Sequence, residues 1–134
     1  MTVSISAVHI LVDDPDQALG FYRDALGLTV RHEVAQDGFR WITLVTDSQP
    51  EIAIVLSQPH AGRSKEDGDA IAALLAKGEL RPVHFRSDDL DATIGKIATA
   101  PGAEVLQEPA SQPWGARDAA VRDPAGNFLR IEQD

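Results

Sequence analysis

Val8–Val30 reads VHILVDDPDQALGFYRDALGLTV, and Val83–Val105 reads VHFRSDDLDATIGKIATAPGAEV. The second stretch follows the first by 75 residues and aligns with it without a gap. Nine of the 23 pairs are identical, among them His9/His84, Asp13/Asp88, Asp14/Asp89, Asp16/Asp91, Gly20/Gly95 and Gly27/Gly102. Several identities fall on turn, cap and glycine positions, where backbone geometry restricts the residue. The period is too long for a solenoid unit. In 134 residues it means two half-domains, each too small to be stable alone, sharing a core or a cleft.

Both copies carry the same local signals. Val8, Ile10 and Val12 alternate with His9 and Leu11, as in a strand with one buried face. Asp14-Pro15-Asp16-Gln17 opens a helix, with Asp14 as N-cap, Pro15 in the first helical position and Gln17 as capping-box partner. Ala18, Leu19, Tyr22, Ala25 and Leu26 give this helix one apolar face, and Gly27 closes it. Strands are expected at 28–34, 39–46 and 52–56, which makes the order βαβββ. In the second copy the strands fall at 82–87, 104–106, 117–121 and 128–132. Asp89 caps its helix, and Asp123-Pro124-Ala125-Gly126-Asn127 forms its hairpin turn. The boundaries that follow are 1–58 for the first module, 59–79 for a polar linker with a short helix over 69–78, and 80–134 for the second module.

Net charge is −9, which argues against nucleic acid and anionic membranes as partners and is compatible with a cationic ligand. There are no cysteines, so disulfides, thiolate metal sites and a cysteine nucleophile are excluded together. No basic leader opens the chain and no apolar run reaches membrane-spanning length, so a soluble cytoplasmic protein is expected.

The strand followed by DDPDQALGFYRDALGL, its second copy with DDLDA, and RDPAGN before the last strand resemble the vicinal oxygen chelate superfamily. Glyoxalase I, extradiol dioxygenases and bleomycin resistance proteins are its members. The resemblance implies an α+β fold in which two tandem βαβββ modules form mixed sheets that curl around a shared cleft. It also implies a homodimer.

The resemblance further implies where a metal would sit. Counted from Phe21 and carried by the repeat, the usual ligand positions fall at Ala7, Pro82, Arg130 and near Ala53–Val55, none of which bears a ligand of the usual kind. His9, His84 and Glu132 stand two residues beyond three of these positions, on the same strand faces. Two histidines and a carboxylate are a recognised metal set. Shifting each ligand along its own strand should separate the three, because the strands do not all run the same way.

Other candidates are cleft residues. Trp41 and Trp114 are large apolar bodies suited to lining a pocket or a core. Arg40 and Arg117 hold similar places in the two modules, either as anion clamps or as partners of the surplus acids. Asp13-Asp14 and Asp88-Asp89 resemble acid–base pairs, but their place at helix starts points to capping. The expected function is small-molecule binding without the usual metal, with Arg40, Trp41, Trp114, Arg117, His9 and His84 as cleft candidates. The alternative is a lyase, isomerase or dioxygenase that uses Ni, Zn, Mn or Fe.

Overall fold

The computed structural model describes residues 1–134. Its first half contains β1 (Ala7–Leu11), α1 (Pro15–Leu19), β2 (Thr29–Gln36), β3 (Phe39–Thr46) and β4 (Gln49–Ser57). After α2 (Lys65–Ala76), the second half contains β5 (His84–Ser87), α3 (Leu90–Ile97), β6 (Glu104–Ser111), β7 (Arg117–Arg122) and β8 (Phe128–Gln133). Each half forms one mixed four-stranded sheet, in the orders β1-β4-β3-β2 and β5-β8-β7-β6. In each sheet the first strand pairs parallel with the fourth, and the other pairings are antiparallel. The duplication in the sequence is therefore a duplication of topology, and the α+β arrangement is as expected.

The helix starts follow their caps. The Asp14 side chain accepts from the amides of Asp16 and Gln17, and Asp89 accepts from that of Ala92. Gln17 is not the reciprocal cap partner expected of it. The amide of Asp14 bonds Asp13 instead, and the Gln17 side chain lies against Gly102 of the other module. Beyond Leu19 the first helix widens into a π-helical turn, Gly20–Ala25, where Leu26 donates to the carbonyl of Phe21. The widened turn carries Phe21 and Tyr22, both fully buried.

The linker helix starts four residues earlier than expected and ends at Ala76. Ser64 caps it by accepting from the Asp67 amide. The polar run Lys65-Glu66-Asp67 is thus a first helical turn rather than a loop, with its acids at the positive end of the helix dipole. Gly68 lies inside this helix because the His60 ring occupies the space a Cβ would need.

Alternate residues of each strand face opposite sides. Ile10, Ile42, Leu44, Ile54 and Leu56 of sheet 1, together with Ala119, Val121, Leu129 and Ile131 of sheet 2, join one cluster with the residues of α1, α3 and Leu75 of α2. Both sheets therefore turn the same kind of face, the helix-covered one, to one common core. Their opposite faces look outward and remain open. The two sheets are not closed on one another, and a groove of about 840 Å³ lies between β5 and the Val8, Ile52 and Ile54 side of the first sheet.

One buried polar cluster crosses between the halves. Tyr22 Oη donates to Asp123 Oδ2 at 2.5 Å, and Asn127 Nδ2 donates to Asp123 Oδ2 at 2.7 Å and to the carbonyl of Leu11 at 2.8 Å. Asp123 Oδ1 accepts from the amides of Ala125, Gly126 and Asn127. The Asp-Pro-Ala-Gly-Asn turn is thus a hairpin that also clamps the first strand and first helix of the other module.

Candidate functional site

The open face of sheet 2 carries His84 and Arg86 from β5, Phe128, Arg130 and Glu132 from β8, and Asp118 and Ala120 from β7. Register places His84 beside Arg130 and Arg86 beside Glu132, which itself pairs with Asp118. Asp118 is 5% exposed although it lies on the open face. The Gln112 side chain donates to Asp118 Oδ1 at 2.8 Å, and Arg130 reaches Asp118 Oδ2 at 3.3 Å. Gln107 Nε2 approaches the same carboxylate at 3.5 Å.

These contacts anchor the loop between β6 and β7. Within it, the Gln112 amide donates to the carbonyl of Ala116 at 2.7 Å, and Gly115 turns at a φ of 97°. The tight turn holds Trp114 outward, 68% exposed, over a cavity of about 240 Å³. Trp114, Ala116, Asp118, Arg130, His84 and Glu132 line that cavity. It can offer a flat apolar surface, a buried carboxylate and a guanidinium to one ligand.

The other predicted site residues fall elsewhere. Arg40 and Arg117 sit on the helix-covered side of their sheets. Arg40 binds Asp16 at 2.7 Å and Glu33 at 3.0 Å, and Arg117 binds Asp91 at 2.9 Å. Asp16 and Asp91 are repeat partners, so the same strand-to-helix ion pair occurs in both modules. The two carboxylates raise the Arg40 pKa further above its usual range. Both guanidiniums have partners within the chain, as the surplus of acids allows.

Trp41 faces outward on β3, beside Thr43 and paired with Val34, and lines neither cavity. His9 is exposed on the open face of β1, in register with Val55 and, through it, with Thr43. His84 lines both cavities. Tyr22 is a core residue, and His60 bonds Asp69 at 2.7 Å at the start of α2.

The residues present do not fit a divalent ion within one chain. No three His, Cys, Asp or Glu side chains are gathered anywhere. Glu132 is paired with Arg86 at 3.3 Å, and a second guanidinium, that of Arg130, stands beside His84. Of the usual ligand positions, Ala7 lies next to Ala53 across β1 and β4, and neither offers a donor side chain. Sequence reasoning missed Asp118, Gln112 and Arg130. Only the spacing of Asp118 and Arg130 from the Asp123–Asn127 turn could have shown that they are diagonal neighbours on one face of β7 and β8.

The model of the glyoxalase/bleomycin resistance protein/dioxygenase superfamily matches residues 4–131. The chain belongs to this superfamily. Putative glyoxylase CFP32 of Mycobacterium tuberculosis is 32% identical over 123 residues, which are 92% of this chain and 41% of that protein. The chain thus spans about two fifths of the length of this relative. Among solved structures, UcmS2 superposes with a TM-score of 0.86 at 29% identity, with both chains fully covered. TnmS3 of Streptomyces sp. CB03234, described as an antibiotic binding protein, superposes with a TM-score of 0.73 at 24% identity, covering 99% of this chain and 98% of its own. No helix of this superfamily member is long and apolar enough to cross a membrane.

Proposed function

We propose that this superfamily member is a small-molecule-binding protein that takes a flat, largely apolar ligand on the open face of sheet 2. The observation that carries this reading is Trp114, an exposed indole held by an anchored turn above a cavity whose floor includes a buried carboxylate. An apolar ring costs free energy when left in water, and a loop held by Gln112 and Asp118 presents it in one pose. The antibiotic binding described for TnmS3, a protein of the same fold, supports the same reading.

The cavity beneath Trp114, about 240 Å³, is smaller than the roughly 300–1,000 Å³ of most ligand sites. A homodimer in which a second copy lays the open face of its sheet 1, with His9, Trp41 and Thr43, over Trp114 would complete the enclosure. No metal step is part of this function.

Thermal-shift screening of the untagged protein against polycyclic aromatic antibiotics and α-keto compounds tests the reading, with sedimentation run in parallel. A ligand at 100 times its dissociation constant adds about 2.7 kcal/mol of stability. The expected result is stabilisation by an aromatic ligand, lost in Trp114→Ala, on a dimeric species. Stoichiometric bound metal that disappears in His9→Ala or His84→Ala would favour the metal-dependent lyase, isomerase or dioxygenase instead.

A further inference from the structure

The chain is acidic overall, with 21 Asp and Glu against 12 Lys and Arg. The open face of sheet 2 reverses that sign. Asp118 and Glu132 are each matched by a cation, Arg130 and Arg86, and the third carboxylate of this face, Glu104 of β6, stands in register with Arg122. Arg81, just before β5, joins Arg86, Arg122 and Arg130 as a fourth guanidinium and takes part in no ion pair. Its Cζ lies 4.5 Å from the centre of the Phe128 ring, and that of Arg130 lies 5.6 Å from the same centre. The other arginines of the chain each find an acceptor, a carboxylate for Arg23, Arg40 and Arg117 and a backbone carbonyl for Arg31, Arg63 and Arg122. Arg81 instead rests over an aromatic ring, which holds the guanidinium while leaving its N–H edge available. Arg130 links this group to the ligand cavity, because it also lines the space beneath Trp114.

We propose that Arg81 and Arg130, converging on Phe128, form an oxyanion subsite beside the Trp114 cavity, so that the ligand is an aromatic acid held by its carboxylate. This rests on the binding reading above and specifies the charge of the ligand. Guanidinium forks match a carboxylate in two-point geometry, and Trp114 supplies the surface for the ring. The acidic balance of the whole chain favours a cationic ligand; the local arrangement selects the opposite.

Calorimetric titration of the intact protein with naphthalene-2-carboxylate, naphthalene-2-carboxamide and 2-naphthylmethylammonium tests the subsite. The carboxylate is expected to bind roughly tenfold more tightly than the carboxamide. Its advantage should shrink as ionic strength is raised from about 0.05 to 0.5 M. Arg81→Gln should remove the advantage, bringing the carboxylate to within about twofold of the carboxamide. Equal or tighter binding of the carboxamide or the ammonium compound by the unmodified protein overturns the proposal, as does a carboxylate preference that survives in Arg81→Gln. Binding of none of the three, or binding indifferent to Trp114→Ala, overturns the binding reading itself and the subsite with it. Binding that depends on Trp114 but ignores charge overturns the subsite alone.

Discussion

The phenol of Tyr22 donates a 2.5 Å hydrogen bond to the carboxylate of Asp123, across 101 positions of sequence and wholly inside the protein. Tyr22 belongs to the first module and Asp123 to the second, so the bond ties the halves at their common core. Burial pushes the Tyr22 phenol well above its usual range, and the neighbouring Asp123 carboxylate pushes it further. Tyr22→Phe removes the donor and leaves the carboxylate short of one partner. The expected loss is about 1–3 kcal/mol. Urea unfolding followed by fluorescence and by circular dichroism should give one coincident transition in both proteins, because neither module has a core of its own.

Asp123 gives a pH dependence of definite sign. Burial raises its carboxyl above the usual value, against the opposing pull of the hydrogen bonds from Tyr22, Asn127 and Gly126. The folded state therefore holds the proton more tightly than the unfolded chain, whose aspartate titrates near 3.9. The stability this group contributes is complete below that pH and is lost as pH rises through the folded value. The stability of the unmodified protein minus that of Asp123→Asn should fall as pH climbs from about 3 to about 7. A difference that is flat or that rises would show the hydrogen bonds outweighing burial. The constant cost of the altered bonds does not affect the slope.

Two glycines with positive φ separate strain from steric exclusion. Gly38 turns at φ 81° with nothing within 4 Å of the place a Cβ would take, whereas at Gly126, φ 112°, a Cβ would lie 2.5 Å from the carbonyl oxygen of Leu75 in α2. Gly38→Ala should cost about 1–2 kcal/mol from left-handed backbone alone. Gly126→Ala should cost distinctly more, because backbone atoms on both sides have to move. Thermal melting of the two variants side by side measures the difference.

Arg40→Ala and Arg117→Ala should behave as changes to surface ion pairs. Their carboxylate partners Asp16 and Asp91 are 83% and 71% exposed, so each variant is expected to lose no more than about 1 kcal/mol. Ligand affinity should stay within about twofold of the original, a difference of less than roughly 0.5 kcal/mol. A tenfold loss in either variant would place these arginines at the ligand after all.

Asp118→Ala should loosen the turn that presents Trp114. In a Trp41→Phe background the remaining indole reports on that turn alone. Its fluorescence anisotropy should drop, and aromatic ligands should bind about tenfold more weakly, which corresponds to about 1.4 kcal/mol. Unchanged anisotropy would mean that Gln112 does not hold the loop through Asp118.

Much of this architecture is readable along the chain because its signals are local. Asp14 and Asp89 cap their helices because a short acceptor next to three free amides has little else to bind. Asp37-Gly38 turns β2 into β3 because both residues adopt positive φ, where few others are at ease. The start of α2 is hard to read because Lys65-Glu66-Asp67 is equally polar as a loop and as a solvated first turn. Ser64, the cap, carries the information.

The site is less legible, since its members meet only across strands. Asp118 looks like any acid in a short strand until register sets it opposite Glu132 and folding brings Gln112 and Arg130 to it. Arg40 and Arg117 could be read from their matching places as a ligand clamp or as partners of the surplus acids, and the structure gives both acidic partners on the helix side.

The order of residues alone was enough for two βαβββ units with their caps and turns. Those properties depend on neighbours a few places apart and on the repeat. Which sheet faces look outward, which charges find partners, and how Asp123 binds the halves together depended on tertiary packing. Burial of the apolar side chains of both modules in one core forces those pairings, and the chain brings such distant groups together only when it folds.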